Sequence, residues 1–273
     1  MLAMLSLAFF VLLGVLGVVL GVADGRESGA ESFFLVWNSV SQVMIFGLPA
    51  LIVSARYFRG QQRDFLKLDF CGHRWLLAMA GVAVMLLLVP LTEWLTVWND
   101  SWHWSGVWEA VERELRRVGE ESQEVMSRIL EKESLPMNLL CVALIPALCE
   151  ELFFRAGIQN LLQRWFKSPH AAVWVTAAVF SLAHGELFAF LPRFLLGALL
   201  GYLYVGGKSL AVNIVAHFVN NAMVVLFFWM APSLSGIDPA APLGFGWAIT
   251  LVCSVAAVML FAVTFGKGLK ISN

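Results

Sequence analysis

The chain has 273 residues, 60% of them hydrophobic and only 14% charged, with a formal net charge of -1 and a mean hydropathy of +0.79. Soluble domains carry nearer ~25% charged residues, so the composition excludes an ordinary water-soluble globule and specifies an all-α, polytopic helical membrane protein. The balanced charge offers no basic surface for nucleic acid. The four cysteines, Cys71, Cys141, Cys149 and Cys253, lack CxxC spacing, which argues against a disulfide framework or a zinc–thiolate site.

A span needs about 20 apolar residues. Eight are expected, near 2–23, 33–55, 75–97, 137–162, 170–184, 188–205, 209–230 and 243–265, or seven if the short fifth segment does not cross. The first has no basic n-region and an apolar run longer than a signal peptide's, so it is expected to be a retained span. Arg56, Arg59, Arg63, Lys67 and Arg74 follow the second span, and Arg164, Lys167, Lys208, Lys267 and Lys270 fall on the same side. The positive-inside rule then places both termini in the cytoplasm, in the plasma (inner) membrane.

Between the third and fourth spans, Trp94, Trp98, Trp102, Trp104 and Trp108 crowd together as in an aromatic belt at the headgroup level. Trp108, Val111, Leu115, Val118, Val125 and Ile129 then recur at three- and four-residue steps. This predicts an amphipathic helix near 106–133, broken or weakened at Gly119, on the membrane surface or capping the bundle. Ser134 and Pro136 read as the cap and first turn of the next helix.

Three polar clusters interrupt the later spans. Glu150, Glu151 and Arg155 lie within six residues, although a charge at membrane depth costs roughly 2.5–3.5 kcal/mol on insertion scales. Glu151 and Arg155, four apart, share a helix face and can neutralise one another. Glu150 points about 100° away and is free to face a cavity. Pro146 removes a helical hydrogen bond just before the pair, a site for a kink. In the fifth segment, Phe180 lies one turn before His184 on the same face. Glu186 is expected to face solvent. In the seventh span, His217 and Asn221 project together, Asn213 extends the stripe, and Asn220 is near enough that spacing leaves the choice between Asn220 and Asn221 open. Gly197 and Gly201 form a small-xxx-small pair suited to close helix approach.

Carboxylates, histidines and an amide on three helices are the components of hydrolysis by an activated water. No other nucleophile competes: Ser181 lacks a GxSxG setting, a Cys149 thiolate would be poorly stabilised in an apolar setting, and no HExxH occurs.

In order, Glu150-Glu151-Leu152-Phe153-Phe154-Arg155, Phe180-Ser181-Leu182-Ala183-His184 and His217-Phe218-Val219-Asn220-Asn221 resemble the EExxxR, FxxxH and HxxxN/D motifs of the type II CAAX-prenyl endopeptidase, or CPBP (Abi), family of intramembrane proteases. The resemblance covers roughly residues 136–230. It implies a helical fold enclosing a glutamate-dependent endopeptidase site. In that site Glu150 and His184 activate water, His217 and Asn221 hold the oxyanion, and Glu151 and Arg155 support them. The residue four after the histidine in the last motif selects Asn221. Family members have also been described as metalloproteases, and Glu150, His184 and His217 would compose a His₂Glu zinc set; the expectation is no cofactor, because the Arg155 charge disfavours a divalent cation. The implied partners are a peptide or membrane-protein substrate, lipid-modified in some relatives, and the lipid bilayer. The expected division is N-terminal helices plus the Trp-rich segment at 1–135, the catalytic core at 136–230, and a final helix and tail at 231–273. The alternatives are a non-catalytic immunity or scaffold protein of the same family and a transporter with a midplane site; against the transporter, the halves show no repeat.

Overall fold

The computed structural model describes residues 30–57, 72, 74–230 and 242–270. The span expected at 2–23, the basic residues between 58 and 71, Cys71 and the 231–241 connection lie outside the described residues.

Among the described residues the structure is helical. Helix α1 runs through Ala30–Gln42, a π-helical turn Val43–Gly47, and Leu48–Tyr57. Helix α2 is Arg74–Asp100 and α3 is Glu109–Lys132. Helix α4 is composite: Leu135–Asn138, a π-helical stretch Leu139–Leu144, Ile145–Glu150, a second π-helical stretch Glu151–Gln159, and Asn160–Phe166. Then follow α5 (Pro169–Ala183), α6 (Phe190–Gly207), α7 (Leu210–Met230) and α8 (Trp247–Lys270).

Six of these helices are long and apolar enough to cross a bilayer, while α5 is a shorter apolar helix. The protein is an integral membrane protein. The short fifth segment has a local cause: Ser168 caps the start of α5, accepting from the Ala171 N–H, and Pro169 occupies its first turn. At the other end His184 is the C-cap and Gly185, at φ +74°, adopts the left-handed conformation that stops the helix.

The bundle closes through apolar contacts far apart in sequence. Ala78 and Met85 of α2 meet Leu200 and Leu203 of α6, Val212 and Ala216 of α7, and Phe265 of α8. Val53 of α1 joins Phe153 and Phe154 of α4 and Phe180 of α5. The Gly197/Gly201 pair works as close packing: a Cβ on Gly197 would lie 3.1 Å from the Ala177 Cα, and one on Gly201 would lie 2.9 Å from Val173 Cγ1, so α6 sits directly on α5.

Three local expectations are corrected. Helix α3 continues unbroken through Gly119: one glycine costs only about 1 kcal/mol relative to alanine, against the burial of Ile129 and Leu130 and the ion pairs that run along the helix. The apolar stripe of α3 is also divided. Ile129 packs with Leu35 and Cys141, whereas Val111, Val118 and Val125 are exposed. Glu186 does not simply face solvent, since its carboxylate accepts from Arg193 Nη2 at 2.5 Å. Ser134 stands at the N-cap of α4 as expected, but its hydroxyl makes no capping bond.

Candidate active site

Glu150 ends a single α-helical stretch enclosed by two π-helical ones. π-Bulges occur mostly as single turns, frequently at functional sites, so nine consecutive π-helical residues at Glu151–Gln159 are unusual. Pro146 lies in the first turn after the first π-helical stretch, where the missing N–H is absorbed by a change of register.

The two adjacent glutamates have different surroundings. The Glu151 side chain is fully buried and saturated. Its Oε2 accepts from Arg155 Nε at 3.1 Å and from Asn213 Nδ2 at 3.1 Å, and its Oε1 faces His217 Nδ1 at 3.0 Å. Asn213 also donates to the Leu200 carbonyl at 2.6 Å, which ties α4, α6 and α7 together at one carboxylate. Glu150 is 5% exposed, and its Oε2 lies 3.8 Å from His217 Nε2, outside direct hydrogen-bond range.

Both histidine tautomers follow from their partners. His217 Nδ1 faces a carboxylate, and His184 Nδ1 lies 2.8 Å from the Phe180 carbonyl oxygen. Both partners only accept, so each Nδ1 carries a proton and Nε2 is the nitrogen left for chemistry. His184 is exposed, in contrast to buried His217.

Phe180 is the hub. Its ring centroid lies 4.8 Å from the His184 ring, 6.0 Å from His217 and 5.1 Å from Phe154. Arg155 Cζ sits 5.2 Å from the same centroid, a cation–π contact that helps keep the guanidinium in a buried place. Asn221 lies one turn beyond His217, with Oδ1 accepting from Asn220 Nδ2 at 3.3 Å. That bond commits the Asn221 oxygen and leaves its NH₂ group to donate, so the neighbouring asparagines have separate tasks.

Glu150, Glu151, Arg155 and His217 are thus assembled by direct contacts, and His184 is joined through the Phe180 ring. No hydrogen bond links Asn221 to Glu150 or His184. Two contributors were underweighted by sequence reasoning. Asn213 showed only as an extension of the His217 stripe, and Phe180 only as the first residue of its motif.

The donor chemistry of Glu150, His184 and His217 suits zinc, and Nδ1 bonds of this kind orient ligating imidazoles. As placed, however, no three His, Cys, Asp or Glu side chains among the described residues form a group able to hold a metal ion.

The described residues form an all-α bundle with carboxylates and imidazoles gathered between its helices. Residues 132–223, which contain every site residue named above, match the family described as type II CAAX prenyl endopeptidase, Rce1-like. The membrane-embedded CAAX protease MroQ of Staphylococcus aureus (strain USA300) is 31% identical over 110 residues, covering 38% of this chain and 44% of that protein. The chain thus spans less than half the length of this curated relative. No solved structure matches. Through the 132–223 segment, the chain is similar to the type II CAAX prenyl endopeptidase (CPBP) family.

Proposed function

We propose that the chain is an intramembrane endopeptidase that hydrolyses a peptide bond with a water activated by Glu150. The observation that carries this reading is the division of labour between adjacent carboxylates. Glu151 is consumed by three donors, while Glu150 keeps its oxygens for a proton from water.

In the proposed reaction, water binds between Glu150 and the Nε2 lone pair of His184. Glu150 takes one proton as the water oxygen attacks the substrate carbonyl carbon. The oxyanion is met by the Asn221 NH₂ and, when the ring is doubly protonated, by His217 Nε2–H. This second donor requires the imidazolium form, because the Nδ1 proton is already committed to Glu151. The intermediate collapses as the C–N bond breaks, and the proton held by Glu150 passes to the leaving amine. Glu151, Arg155 and Asn213 hold His217. The substrate class is a peptide or membrane-protein segment, with a prenylated C-terminal peptide as the first probe. Both termini are assigned to the cytoplasmic side of the plasma membrane, on the strength of the basic connections.

The test is Glu150→Gln in proteoliposomes with a fluorogenic prenylated peptide. Cleavage should fall by roughly 10²–10⁴ while the thermal midpoint stays near wild type. A rate close to wild type would refute the reading. Retention of a cellular phenotype by the inactive variant would favour the immunity or scaffold alternative.

A further inference from the structure

The strand of chain after His184 runs Gly185–Glu186, a 3₁₀ turn Leu187–Ala189, and then α6. It is fastened by residues outside the family-matching segment. Asn99, near the end of α2, is fully buried. Its Nδ2 donates to the Leu187 carbonyl at 3.2 Å, and its Oδ1 accepts from the Leu191 N–H at 2.7 Å. No side chain of the connection itself caps α6, so the Asn99 oxygen serves as a remote cap for its first turn. The same connection is held at Phe188 by Arg116, whose Cζ lies 3.8 Å from the ring centroid, and by the Trp104 ring at 5.7 Å. On the near side Ser181 Oγ donates to the Phe190 carbonyl at 2.7 Å.

We propose that Asn99 is a positioning residue for His184. By clamping both ends of the 187–191 segment it fixes where α5 stops, and hence where the exposed imidazole stands against Phe180. His184 needs such external support. Its imidazole's only hydrogen bond among the described residues runs to a carbonyl of its own helix, and Gly185 next to it brings free backbone rotation. The N-terminal helices and the Trp-rich segment thereby take part in the site. The inference rests on the endopeptidase reading for its kinetic consequence, but the clamp can be measured separately.

The experiment compares Asn99→Ala, Asn99→Asp and Asn138→Ala in proteoliposomes with the prenylated reporter, alongside amide hydrogen exchange. Asn138 is a matched control: it too is fully buried and bridges two carbonyls, Leu130 at 3.1 Å and Glu133 at 3.4 Å, away from His184. Asn99→Ala should lower kcat by about 10- to 100-fold with KM little changed, as expected for a misplaced group. It should also speed exchange at Leu191. Asn99→Asp, which keeps an acceptor at the α6 N-terminus, should recover part of the rate, and Asn138→Ala should keep kcat. If Asn99→Ala does not fold, Asn99→Ser takes its place with the same expected loss. Unchanged Leu191 exchange, or a kcat loss matched by Asn138→Ala, overturns the proposal. If Glu150→Gln retains cleavage, the protease reading fails and exchange at Leu191 alone decides whether the clamp exists.

Discussion

Replacing Glu151 by glutamine should destabilise the bundle more than it reveals about chemistry. The Glu151 and Arg155 side chains are both fully buried and 3.1 Å apart, and both Arg155 Nη atoms lack hydrogen-bond partners among the described residues. Taking away the carboxylate charge leaves the guanidinium with the Phe180 ring as its remaining counterweight. Removing one partner of a buried pair costs about 3–5 kcal/mol, chiefly because the other charge stays behind uncompensated. At roughly 2–4 °C per kcal/mol for a domain of 150–250 residues, the midpoint should fall by about 6–20 °C. The assay is thermal unfolding of purified protein in one detergent, read from intrinsic tryptophan fluorescence, with Glu150→Gln beside it. The Glu150 side chain makes no hydrogen bond among the described residues, so its variant should lie within about 1 kcal/mol of wild type. Glu151→Leu/Arg155→Met, which replaces both charges by apolar groups, should recover most of the lost stability. A Glu151→Gln midpoint equal to that of Glu150→Gln would refute the assignment of Glu151 as the structural carboxylate.

Acid should loosen the turn before α3. Glu112 accepts from the Trp104 N–H at 2.6 Å, from Arg116 Nε at 2.9 Å and from His103 at 2.9 Å, and these bonds lower its pKa from 4.5 to about 2. A carboxyl depressed in the folded state stabilises fully above its unfolded pKa and less as pH falls towards the folded one. The 102–116 segment should therefore keep its order above pH 4.5 and lose this contribution between about 4.5 and 2. Amide exchange across 102–116 tests this, and Glu112→Gln should remove most of the pH dependence. Cleavage of the prenylated reporter should survive thorough metal removal by a chelator; loss of activity restored by added zinc would overturn the side-chain mechanism.

The amino-acid sequence by itself determined what is local or compositional. Apolar runs are long because a bilayer supplies no hydrogen bonds, so helices were readable from hydropathy. The Glu151–Arg155 bond was readable because four residues bring side chains together on one helix, and the Gly197/Gly201 contact because small residues four apart open one face. The three motifs were readable because each lies within, or at the end of, a single helix. Tertiary structure decided the contacts that carry no period. Asn213 and His217 reach Glu151 across more than 60 residues of chain, and Asn99 reaches Leu191 across 92. No spacing rule connects such partners, because their distance is set by how helices pack. The same reason explains why Glu186 found Arg193, why the valines of α3 were left outside while Ile129 went in, and why Glu151 proved to hold His217 as well as Arg155. A side chain's type limits which bonds it can make, and the packing of the bundle selects which of them form.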